Sequence, residues 1–98
     1  MALKSKVTEY GRINDLIYGC ITKNGDGSYE IREKDAKKNL PKILEILRSM
    51  KDKRDLGLTS DGFTDLDTVI GTLSDNRSGL QVQVSQVFWF MSVWANQQ

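Results

Sequence analysis

The chain contains no histidine, so proton transfer would fall to an aspartate, a glutamate, a lysine or the single cysteine with a shifted pKa. That absence excludes a histidine-based triad and a zinc site of the Cys/His type. Two groups of carboxylates lie close enough in sequence to act together: Glu30 with Glu33, and Asp61 with Asp65 and Asp67. Neighbouring carboxylates raise one another's pKa and can form an acid–base pair. These stand among turn and helix-start residues, where solvated carboxylates are ordinary. Cys20 has no activating neighbour in sequence and sits among apolar residues, so it reads as a buried, inert thiol. There is no phosphate loop and no dinucleotide fingerprint. The expectation is a chain that is not an enzyme, takes no cofactor and has no small-molecule substrate.

One segment carries the donor types of a cation loop. Within Thr22-Lys23-Asn24-Gly25-Asp26-Gly27-Ser28-Tyr29-Glu30-Ile31-Arg32-Glu33, the residues Asn24, Asp26, Gly27 and Glu33 match loop positions three, five, six and twelve. In that spacing the segment resembles an EF-hand calcium loop. A second Asp-Gly pair, Asp61-Gly62, follows 35 residues after the first. Position one is Thr22 where the pattern places an aspartate. In the second copy, positions one and twelve are Gly57 and Thr68. Pro41 also interrupts the exit helix such a loop requires. These departures predict no metal site.

Charge is distributed unevenly. Residues 1–54 hold 13 of the 14 basic side chains against 8 of the 13 acidic ones, a net +5. Residues 55–98 hold Arg77 against five aspartates, a net −4, and no charged side chain follows Arg77. The first half therefore offers an anion-binding face, with Lys37, Lys38, Lys42, Lys51, Lys53 and Arg54 as its candidate residues. Nucleic acid or an anionic membrane would be its partner. Glu33, Asp35, Glu45, Asp52 and Asp55 are interleaved with these cations, and helix-face ion pairs account for much of the pattern.

Apolar spacing supplies the elements. Val7, Tyr10, Ile13, Ile17 and Ile21 recur at three and four, which predicts a helix over 7–21. Ser28–Arg32 alternates apolar and polar residues and fits a short strand pairing back onto Tyr18–Thr22 across the Asn-Gly turn, in competition with that helix. Leu40, Ile43, Leu44, Leu47 and Met50 predict a helix over 40–51, with Ile46 at the edge of the stripe, Asn39 as N-cap, Pro41 in the first turn and Gly57 as the stop. Thr64-Asp65-Leu66-Asp67 has capping-box spacing and opens a helix over 64–74 through Leu66, Val69, Ile70 and Leu73. Residues 80–95 match both a helix and, at Leu80–Val84, a strand; length favours the helix. The expected fold is mainly α: one domain over 1–98, a compact bundle of about four short helices with room for one short β-hairpin near residues 20–32.

The last of these helices carries the strongest functional signal. Val87, Phe88, Trp89, Phe90, Met91, Val93 and Trp94 stand nearly in a row within an uncharged segment. Phe88 and Met91 share a face with Val84, so the spacing sends Trp89, Phe90 and Val93 elsewhere. Aromatic side chains beyond the needs of a small core mark interfaces. The candidate interface is Phe88, Trp89, Phe90, Val93 and Trp94. The expected partner is a second copy of the chain or another protein, in a self-associating, adaptor-like or small structural role. The free cysteine and the absence of an apolar leader at the N-terminus point to the cytoplasm.

Overall fold

A computed structural model of the chain describes residues 2–53 and 60–96, with side chains over 8–52 and 60–96. The order of elements is α1 (Ala2–Tyr18), β1 (Ile21–Lys23), β2 (Tyr29–Ile31), α2 (Glu33–Lys53), α3 (Ser60–Ser74) and α4 (Leu80–Ala95). This is a mainly α bundle with one antiparallel hairpin. The anticipated stop at Gly57 lies outside the described residues, as do the side chains of Val7, Lys53 and Arg54.

α1 buries Ile13 and Ile17 and ends sooner than its apolar spacing suggests. Its last carbonyls are claimed by other groups. Gly19 N–H donates to the Asp15 carbonyl at 3.0 Å, Asn39 Nδ2 donates to the Leu16 carbonyl at 2.9 Å, and the Arg32 guanidinium donates to the Gly19 carbonyl. Gly19 allows that approach. A Cβ there would sit 3.1 Å from the Asp15 carbonyl oxygen and 3.2 Å from Asn39 Nδ2. Ile21 continues the apolar stripe as the first residue of β1 rather than as a further helical turn.

The hairpin pairs Ile21 with Ile31, Thr22 with Glu30 and Lys23 with Tyr29. The β1 strand thus begins three residues later than the Tyr18–Thr22 pairing anticipated from the sequence. The five-residue connection closes through Asn24 N–H to the Ser28 carbonyl at 2.9 Å and Gly27 N–H to the Asn24 carbonyl at 3.2 Å. Gly27 takes φ 90°, a conformation that L side chains rarely adopt.

α2 runs much longer than the stripe around Leu40–Met50 requires. It starts at Glu33, with Glu33 and Asp35 in the first turn, where the helix dipole favours anions. Asn39 is therefore not an N-cap, and Pro41 lies inside the helix. Pro41 and Lys37 are both exposed residues, and the proline leaves the Lys37 carbonyl without its helical N–H donor on the outer side of the bundle. Ala36, Leu40, Ile43, Ile46, Leu47 and Met50 are buried, which moves Ile46 from the edge of the stripe into the core.

α3 also starts early. Thr64 is not a cap: its hydroxyl donates to the Ser60 carbonyl at 3.2 Å, one turn into the helix. Gly62, Leu66 and Val69 are buried. α2 packs against both α1 and α3, and α3 packs against α4. Lys51 Nζ and Asp67 Oδ1 join α2 to α3 at 2.8 Å. Both side chains are about half exposed, so the pair contributes at most about 1 kcal/mol.

α4 runs over Leu80–Ala95 as anticipated, and the strand alternative is excluded. Gly79 precedes it in an extended conformation with no side-chain cap. A single core draws on all four helices and the start of the hairpin.

Candidate protein-interaction surface

The helix spacing of α4 decides which aromatic residues are free for contact. Val84, Val87, Met91 and Trp94 recur at three, four and three, and Phe90 lies beside them; all five are buried. The inward seam therefore keeps Val84, Val87 and Met91 of the expected stripe and adds Phe90 and Trp94, with Phe88 on its flank. Phe90 and Trp94 belong to the core and are not available as interface anchors. Their rings lie 6.0 Å apart, and Trp94 also packs on Tyr10 at 5.5 Å. Phe88 and Val93 are half-buried on the flanks. Trp89 alone of the five proposed anchors is exposed, at 41%.

Phe88 leans towards α1 and the hairpin. Its ring meets Tyr18 edge to face at 5.4 Å and Tyr29 at 5.6 Å. The hydroxyls of Tyr29 and Ser85 approach at 3.4 Å. Lys23 shares a sheet face with Tyr29, because their Cα positions pair, and its ammonium stands 5.0 Å from the centroid of Tyr18. A hollow of about 280 Å³ opens here, lined by Tyr18, Ile21, Lys23, Gly27, Tyr29, Ser85 and Phe88. Beside it runs the outer stripe of α4, Val82, Ser85, Trp89 and Ser92, all uncharged, with Val82 and Trp89 its large exposed members. The sequence anticipated the tail but not Tyr18, Tyr29, Lys23 and Ser85. The signal was the alternation at Ser28–Arg32, which places Tyr29 on the inward face of the hairpin.

The described basic candidates all lie on α2, with Lys38 and Lys42 one turn apart. Lys37 Nζ pairs with Glu33 at 2.9 Å, and Lys51 with Asp67. Lys38 is exposed on α2. Lys42 lines a separate groove of about 700 Å³ between α1 and α2, together with Glu9, Arg12, Asp15 and Glu45. Carboxylates thus stand beside Lys37, Lys42 and Lys51.

Asp61 and Asp65 stand one turn apart on α3, but neither carboxylate group gathers three members among the described residues. Glu30 is exposed on the hairpin, Glu33 pairs with Lys37, and Asp67 pairs with Lys51. Asp26 accepts from the Ser28 N–H at 3.0 Å and the Ser28 hydroxyl at 2.6 Å, which holds its carboxyl below the usual aspartate range. The cation-loop look-alike is thus a hairpin turn followed by the first residue of α2. Among the described residues no cluster of three or more Cys, Asp or Glu is placed to hold a metal. Cys20 is buried and its thiol donates to the Ile17 carbonyl at 3.1 Å; burial pushes its pKa up. Among the described residues no helix is long and apolar enough to cross a membrane. Compared with protein-family models, with curated proteins and with solved structures, the chain matches none.

Proposed function

We propose that this chain is a non-catalytic contact module that works by self-association through the uncharged outer face of α4. The observation that carries the proposal is Trp89, a large aromatic side chain 41% exposed in the middle of that face and next to the open Tyr18–Tyr29–Phe88 hollow. Leaving an indole in water forfeits apolar burial that a partner would recover. Trp is also among the residue types most enriched as interface anchors. The buried free thiol of Cys20 supports a reducing, cytoplasmic setting. An anionic partner on α2 is favoured less, because Lys37 and Lys51 already face Glu33 and Asp67.

Sedimentation across a salt series tests the choice. Association through an uncharged face persists at high chloride and strengthens in sulfate. Contact through phosphates weakens steeply with salt. A complex that dissolves in moderate salt contradicts the proposal.

A further inference from the structure

The outer stripe of α4 alternates large and small side chains: Val82, Ser85, Trp89, Ser92. Their spacing of three, four and three places them in one line along the helix. A second α4 can be laid antiparallel across a two-fold axis on this outer face, midway along the stripe between Ser85 and Trp89. In that register Val82 faces Ser92 of the second copy, and Ser85 faces its Trp89. Every large residue meets a small one, which is the self-complementarity a two-fold interface demands.

Two further observations favour this occupant. The hollow of about 280 Å³ lies beside Ser85. Its walls include the rings of Tyr18, Tyr29 and Phe88, which can take a further aromatic side chain in tilted or edge-to-face contact. The second observation is charge. A two-fold axis sets like against like, and this stripe has no charge to oppose itself.

We propose that two copies of this chain pair through antiparallel α4 helices, each seating its Trp89 beside the other's Ser85 in the hollow walled by Tyr18, Tyr29 and Phe88. The arrangement rests on the self-association reading above and specifies its partner and register. A helix of 16 residues is about 24 Å long. One such face with a hairpin edge falls short of the roughly 800 Å² per partner of a standard interface. The dimer is therefore reversible and depends on concentration.

Complementation tests the register. Trp89→Ala removes the indole, and Ser85→Trp blocks the place it occupies. Each variant alone weakens dimerisation by about 10-fold or more, the scale of a lost anchor. An equimolar mixture restores dimer to near wild-type affinity, because the new indole at position 85 fills the space opposite Ala at 89. Val82→Ala with Ser92→Leu reads the same register should Ser85→Trp disturb folding. Wild-type dimer with neither mixture restored overturns this pairing and leaves self-association standing. A monomeric wild type overturns both.

Discussion

Tyr18 and Phe88 meet edge to face, with ring centroids 5.4 Å apart and planes at 75°. The contact joins the last turn of α1 to the middle of α4, and such pairs contribute about 0.5–1.5 kcal/mol beyond area burial. It also divides the aromatic residues of α4 by role. Inward of Phe88 lie Phe90 and Trp94, sealed in the core. Outward of it lie the open hollow and Trp89. Two tryptophans on one helix thus have different fates, and substitutions should separate them.

Trp94→Ala is expected to cost about 3–5 kcal/mol, as large aromatic deletions in a core do. Trp89→Ala is expected to cost clearly less than Trp94→Ala, because 41% of the Trp89 side chain already faces water and only its covered part is lost. Urea denaturation of both variants, at a concentration where the wild type is monomeric, checks the contrast. Equal losses would place Trp89 in the core and remove the proposed anchor.

Gly71 lies inside α3, and a Cβ added there would meet nothing from the rest of the fold within 4 Å, whereas Gly27 holds φ +90. Gly71→Ala should raise stability by about 0.4–1 kcal/mol by cutting the freedom of the unfolded chain. Gly27→Ala should lower it, because alanine in that conformation is strained. Thermal melts of the two variants should move in opposite directions.

Gln86 has a buried side-chain oxygen that finds no protein hydrogen-bond donor among the described residues. An unsatisfied buried acceptor costs about 1–3 kcal/mol. Gln86→Met keeps the length of the side chain and removes the polar atom, so its urea midpoint should rise. A lower midpoint would mean that the amide makes a compensating interaction.

Cys20 supplies a pH test. Burial raises its folded pKa most strongly; the Arg32 cation opposes the rise and Asp35 adds to it. A raised folded pKa means that the folded chain holds the proton more tightly. The resulting stability is complete below the ordinary thiol value of about 8.5 and is lost as pH rises through the folded value. Urea midpoints should therefore fall above that ordinary value by more in the wild type than in Cys20→Ala. Equal alkaline losses would show that the thiol is not responsible.

Much of this architecture is legible in the residues alone. The four helices follow from apolar spacing, and the bounds of α4 follow because Leu80 to Ala95 keeps one period without a break. Helix starts are less legible. Pro41 argues for a start near Leu40, yet α2 accommodates it inside on its exposed side, where Lys37 and Pro41 both lie. Thr64 resembles a cap, but its hydroxyl folds back on the Ser60 carbonyl. The candidate surface is only half legible. Phe88 and Phe90 exchange roles through a small change of helical phase, which sequence period does not resolve. Tyr29 is foreshadowed by the alternation at Ser28–Arg32, whereas Tyr18 and Lys23 join the surface through tertiary contacts between α1, the hairpin and α4 that their spacing in the chain does not reveal.

The central claim is that α4 presents a face for a second copy, and molar mass tests it most directly. Light scattering at about 10–100 µM, where complexes of micromolar affinity populate, reads the mass without labels. The account predicts a mass rising towards twice 11.1 kDa with concentration, and a return to 11.1 kDa in Trp89→Ala with the fold intact. A wild-type mass fixed at 11.1 kDa across that range would contradict it.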